Sequence, residues 1–252
     1  MELTSHRVHL FFSFPEQISD RKLLRRYEAL LSDAESAQMA RFYYAGHRHQ
    51  YLVTRALVRS SLSTFFPVDP ATWDFTASAY GKPDIEHPEV EVPVRFNISH
   101  TRGLIVCAIV RGYDIGVDTE DTERSTRTDL DSLASYFSPQ EIDEIRNLPA
   151  SRQKQRFFDY WTLKESYIKA RGLGLAIPLD KFSFLFRDDR LDGFQVHADL
   201  NDDAGNWQFW RAAVNRRYKV ALALNAAGVD IELSACKTIP MATNETFPLT
   251  LL

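Results

Sequence analysis

Two short stretches hold side chains whose types and spacing could do chemistry. Gly116-Val117-Asp118-Thr119-Glu120 sets two acids two residues apart, and Phe158 to Gly174, FDYWTLKESYIKARGLG, sets Glu165 one helical turn before Lys169. On a strand, residues two apart share a face, so Asp118 and Glu120 can aim their carboxylates into one pocket while Val117 and Thr119 face the other way. On a helix, Trp161, Glu165 and Ile168 fall on one face while Leu163, Tyr167 and Ala170 line another, which leaves Glu165 on a greasy surface. A carboxylate so placed wants a cation. Three acids and an ammonium suit magnesium, which takes a few carboxylate oxygens and completes its octahedron with substrate phosphates and water. The same residues have a plainer reading: Asp118-Thr119-Glu120-Asp121 as a polar turn after a strand, and Glu165–Lys169 as an exposed ion pair worth ~0.2–0.5 kcal/mol.

His100, in Phe96-Asn97-Ile98-Ser99-His100-Thr101, ends a strand where backbone and imidazole donors could meet an anion. Lys82, in Tyr80-Gly81-Lys82-Pro83, sits in a turn and is equally at home in solvent there. No Gly-x-x-x-x-Gly-Lys-Ser/Thr loop and no Gly-x-Ser-x-Gly elbow occurs. Groups that bind phosphate must therefore be dispersed along the chain.

These residues need elements to position them. Val8 to Phe14 reads as a strand stopped by Pro15. Leu23, Leu24, Tyr27, Leu30 and Leu31 recur at helical steps, and an amphipathic helix is expected from His47 to Phe66, with Arg48, Arg55 and Arg59 on its cationic side. Val94 to Ile98 and Leu104 to Val110 read as a hairpin. Asp114 to Asp118 starts another strand, and Ser138-Pro139-Gln140-Glu141 is a capping box with proline at the first helical position, predicting a helix over Pro139 to Asn147. After the Phe158 to Arg171 helix, strands are expected at Phe182 to Phe186, Gly193 to Ala198, Trp207 to Ala213 and Lys219 to Leu224. This order predicts an α+β fold of two lobes, 1–113 and 114–230, followed by a mobile tail over 231–252.

At 252 residues and 44% hydrophobic content, the chain can fill a sizeable core. The 30 basic against 34 acidic residues, a formal charge of −4, argue against a nucleic-acid binder that relies on general cationic attraction. Cys107 and Cys236 have no metal-ligand spacing and suit a reducing cytosol without a disulfide. No stretch approaches the ~20 apolar residues of a membrane span, and the first residues lack a secretory pattern, so a cytoplasmic protein is expected.

Gly116-Val117-Asp118-x-Glu120 followed by Trp161-x-x-Lys164-Glu165-Ser166-x-x-Lys169 resembles the signature pair of the 4′-phosphopantetheinyl transferases. Tyr80-Gly81-Lys82-Pro83, Phe96-Asn97-Ile98-Ser99-His100 and Gly174-Leu175-x-x-Pro178-Leu179, in the same order, resemble the monomeric surfactin-type branch, so the likeness runs from about Arg41 to Phe184. The resemblance implies two pseudo-twofold-related α+β lobes with coenzyme A between them. It also implies transfer of the phosphopantetheine arm to a serine of an acyl or peptidyl carrier protein, with release of 3′,5′-adenosine bisphosphate. By position, Asp118, Glu120 and Glu165 would hold Mg2+, Lys169 and Lys82 would contact phosphates, and Ser99 and His100 would bind the 3′-phosphate end. Glu165 is also the candidate acceptor of the serine proton. Where the family often carries basic residues before Arg41-Phe42-Tyr43, this chain has Glu35 and Gln38, for which Arg41, Arg48 or Arg55 would compensate. Arg124, Arg127 and the run from Arg152 to Arg156 are candidate landing points for an acidic carrier protein. A chain holding both lobes needs no second copy, so a monomer is expected. A magnesium-dependent phosphohydrolase and a non-catalytic carrier-binding module are the competing readings; the second predicts loss of one of the three acids, and all three are present.

Overall fold

The computed structural model describes residues 2–123 and 136–252. In chain order the first elements are β1 (Arg7–Ser13), α1 (Arg21–Glu28), α2 (Asp33–Ala40), α3 (Ala45–Leu62), β2 (Asp74–Ala77), β3 (Pro83–His87), β4 (Val94–Thr101), β5 (Leu104–Arg111) and β6 (Ile115–Asp121). They are followed by α4 (Pro139–Asn147), α5 (Ala150–Arg171), β7 (Phe182–Arg187), β8 (Arg190–Val196), β9 (Trp207–Val214), β10 (Tyr218–Asn225), β11 (Glu232–Ile239), β12 (Thr243–Thr246) and β13 (Thr250–Leu251). Two compact α+β units result. One comprises Met1–Ser78, Pro83–Gly112 and Asp230–Pro248; the other comprises Ala79–Lys82, Tyr113–Val229 and Leu249–Leu252.

The first unit is built on a sheet of order β12-β11-β1-β5-β4, antiparallel except where β1 runs parallel to β11. β5 is buried at every position but its last, because both of its faces are covered. From one face Ile105, Cys107 and Ile109 pack with Phe11 against Leu52, Val53, Ala56 and Leu57 of α3. The expected hairpin is β4–β5, with Ile98 opposite Cys107. Helix α3 stops at Leu62, four residues before Phe66, and Phe65 and Phe66 fold back onto the core instead.

Residues 231–252, expected as a mobile tail, carry three strands. β11 pairs along β1, with Phe11 opposite Cys236, β12 turns back onto β11, and β13 pairs with β9. β11 is only half-buried and reads ELSACKTI, so it shows neither an apolar run nor clean alternation. Its order comes from backbone hydrogen bonds to a strand more than 200 residues earlier in the chain, which local periodicity cannot register.

The second unit rests on an antiparallel sheet of order β13-β9-β10-β6. Register aligns Gly116, Asp118 and Glu120 of β6 with Ala223, Ala221 and Lys219 of β10, and these with Phe209, Arg211 and Ala213 of β9. This face receives α5, whose last half crosses the small residues Gly116, Ala221 and Ala223. Its first half meets Lys219 and Arg211 through Asp159. Helix α4 starts in the capping box expected of Ser138 and Glu141. The β7–β8 hairpin adds Phe182, Phe184 and Phe194 to an aromatic core around Tyr167 and Phe209.

Candidate active site

Gly116 fixes how closely strand and helix approach. A Cβ built there would sit inside contact distance of the Ser166 carbonyl oxygen and the Ala170 amide nitrogen, and 3.0 Å from the Ala170 Cα. These are backbone atoms that no side-chain rotation can move, so only glycine permits the contact. Two residues along the same face of β6, Asp118 therefore stands beside the next turn of α5.

Along the second half of α5 burial is nearly complete. From Trp161 to Ala170 only Trp161, Glu165 and Lys169 are partly open, a single line at four-residue spacing. Ile168, grouped with Trp161 and Glu165 by periodicity, is instead buried at 2% exposure in the core with Leu163 and Tyr167. The helix is covered on both flanks, and the open line follows the i,i+4 direction strictly.

On that line the charges meet those of β6. Lys169 Nζ donates to Asp118 Oδ1 at 2.5 Å and to the Val117 carbonyl at 3.3 Å. Burial raises the Glu165 carboxyl above the ordinary carboxylate range, the Asp118 charge pushes it the same way, and Lys169 pulls it back. The ammonium is bound by Asp118, and Glu165 lies within the electrostatic reach of both groups. Carboxylate and carbonyl oxygens are the donor types a hard divalent cation takes. Among the described residues no three His, Cys, Asp or Glu side chains are gathered at metal-binding spacing. Glu120 shares the Asp118 face by alternation and stands opposite Lys219.

The other expected residues lie as follows. Lys82 Nζ donates to the Ala170 carbonyl at 2.7 Å, near Gly172, which ends α5 in the left-handed conformation at φ 66°. Ser99 and His100 lie on β4 in the first unit, Ser99 buried and His100 exposed. Arg55 and Arg59 both pair with Glu35, and Arg48 donates to the carbonyls of Phe42 and Tyr43. Glu35 therefore holds two of the cations on α3 instead of leaving them for a ligand. Arg156, offered as a carrier landing point, is buried at 3% side-chain exposure, where it pairs with Glu144 and Asp189. Arg152 reaches Asp189 as well, and Arg124 and Arg127 fall outside the described residues.

Two ionic clusters escaped sequence reasoning. Lys164, next to Glu165, points into the core, where it meets Glu141 Oε2 at 2.8 Å and the carbonyls of Leu179 and Phe182 at 2.7 Å each. Glu141 also accepts from the backbone of Ser138 and Phe184, so one carboxylate ties α4, α5 and β7 together. Asp159, likewise buried, receives Lys219 and Arg211 from the sheet. The capping box identified Glu141 as a helix-start residue, but nothing in its spacing announced a second partner.

Fold, acid–lysine arrangement and comparison with known proteins converge: the chain belongs to the 4′-phosphopantetheinyl transferase superfamily, whose profile matches residues 114–223, while residues 19–111 match the 4′-phosphopantetheinyl transferase N-terminal family. It is 36% identical over 177 residues to the 4′-phosphopantetheinyl transferase HetI of Nostoc sp., covering 70% of this chain and 73% of that protein. To the 4′-phosphopantetheinyl transferase Sfp of Bacillus subtilis it is 31% identical, covering 78% of this chain and 83% of that one. The chain is therefore an enzyme, and its general chemistry is transfer of the 4′-phosphopantetheine group. No described helix is long and apolar enough to cross a membrane.

Proposed function

We propose that the chain moves the 4′-phosphopantetheine arm of coenzyme A onto a serine of an acyl or peptidyl carrier protein, with Mg2+, in the manner of the surfactin-type branch. The observation that carries this is the line of Glu165 and Lys169 along the largely buried second half of α5, with Lys169 on Asp118 and Glu165 raised by burial and by the same aspartate.

Asp118, Glu120 and Glu165 would hold the ion, which when bound neutralises the charge of the diphosphate and of the leaving phosphate. Lys169 would contact the diphosphate from one side and Lys82, at the end of α5, would supply a second cation. Ser99 and His100 are proposed as contacts to the 3′-phosphate. The serine Oγ forms a bond to the pantetheine-side phosphorus, the phosphoanhydride bond breaks, and 3′,5′-adenosine bisphosphate leaves with the bond electrons. Glu165 takes the serine proton, directly or through a water.

Incubating an apo carrier protein with the enzyme, coenzyme A and Mg2+ should add one phosphopantetheine group, seen by mass spectrometry, with equimolar 3′,5′-adenosine bisphosphate. Hydrolysis of coenzyme A without carrier modification would contradict the proposal and point to the phosphohydrolase reading.

A further inference from the structure

We propose that Lys169 is a resident counter-ion that fills the cation position beside Asp118 and is displaced from it when a divalent ion enters. The inference rests on the reading of Asp118 and Glu165 as metal ligands. It goes beyond that reading by giving Lys169 a place in both states of the site.

The Lys169 ammonium touches two oxygens of β6, Asp118 Oδ1 at 2.5 Å and the Val117 carbonyl at 3.3 Å, which are the donor types a hard cation takes. The partners differ in freedom. The Asp118 side chain is 7% exposed on β6, which pairs along β10, whereas that of Lys169 is 27% exposed and lies on the open line of α5. A buried carboxylate left with no cation is strongly unfavourable, so Asp118 needs one whether or not a metal is present. A lysine on a flexible four-carbon stem can supply it and then withdraw without any movement of the helix backbone, which Gly116 holds against the strand. The one ammonium is bound at Asp118, while Glu165 stands one turn before Lys169 on the same open line of α5. A divalent ion satisfies both. The displaced ammonium is then free to meet a substrate phosphate, so metal entry and presentation of Lys169 to substrate become a single exchange.

The test uses the full chain without coenzyme A, measuring Mn2+ affinity by calorimetry and electron paramagnetic resonance and melting in a chelator. Lys169→Met should bind Mn2+ roughly tenfold or more tightly than wild type, the effect of removing a competing cation from beside a carboxylate. It should also melt at a lower temperature in the chelator and recover on adding Mn2+. Lys169→Gln, which keeps a polar end, should change affinity in the same direction, so the result does not depend on one variant folding well. Asp118→Asn should abolish tight binding in both backgrounds. Equal or weaker Mn2+ affinity in both lysine variants overturns the exchange, and if wild type modifies a carrier protein with Mg2+, the proposed function survives that outcome. No Mn2+ binding by wild type or by either lysine variant overturns the exchange and the metal ligands together.

Discussion

Asp118 meets conflicting demands, since it is a charged group at 5% exposure on β6, facing Ala221 of β10. What makes it tolerable is a cation, and in this structure the cation is Lys169. Asp118→Asn keeps shape and removes charge, so it should leave the fold intact and lower kcat/KM for carrier modification roughly 10²–10³-fold, the usual loss when one preorganised electrostatic contact is removed. A Mg2+ titration of the variant that matched wild type would exclude Asp118 as a ligand. Asp118, Glu165 and Lys169 were legible in the sequence because charged residues stood where apolar ones were due and because their spacing fixes their faces. Lys164 was not: in sequence it looks as reactive as its neighbour, and only the packing turns it toward Glu141. The same holds for Arg156, which reads as part of a basic surface run but is buried in an ion cluster.

The strand–helix pair formed by β6 and α5 carries the proposed site, and its spacing depends on one missing methyl group. Gly116→Ala should force α5 away from β6, costing about 1–3 kcal/mol as overpacking of a tight contact. Because Lys169 and Glu165 move with the helix, transfer should fall well beyond the share lost to unfolding; activity per folded molecule equal to wild type would show that the contact does not set the site. Behind the helix, Glu141 and Lys164 are 0% and 1% exposed, and burial drives the two toward neutrality, raising the acid and lowering the base, while their contact opposes it. Lys164→Met alone should cost about 3–5 kcal/mol in denaturant melts by leaving Glu141 unpaired, and Glu141→Gln combined with it should cost less than the sum of the singles. A strictly additive double variant would argue against the pairing. Helices α4 and α5 and the β4–β5 hairpin follow from local signals, namely a capping box, an unbroken helical pattern and paired β-branched runs. Strand β11 does not, because its partner β1 is distant in sequence and its own residues are half polar.

Stability across the molecule should respond to acid through a residue with no place in the proposed chemistry. His9, on β1, is 2% exposed against Phe65, and burial, with help from the Arg7 charge, lowers its pKa to about 4. The unfolded chain titrates this ring near 6.5 and so binds the proton first, which means stability is lost as pH falls from about 6.5 toward 4 and is unaffected above that window. The size is about 3 kcal/mol by pH 4, and His9→Leu should flatten that part of the acid limb in melts taken at several pH values. A variant with the same acid limb as wild type would remove His9 as its source. Neither compact unit is contiguous in sequence, since β11 and β12 return to the first and β13 to the second, and a division by linear stretches necessarily missed this. The central claim remains that Glu165 and its neighbours transfer phosphopantetheine to a carrier serine. Mass spectrometry of an apo carrier protein treated with coenzyme A, Mg2+ and either wild type or Glu165→Gln tests it most directly. The account predicts one added phosphopantetheine with wild type and none with a folded Glu165→Gln; modification by that variant at the wild-type rate would contradict it.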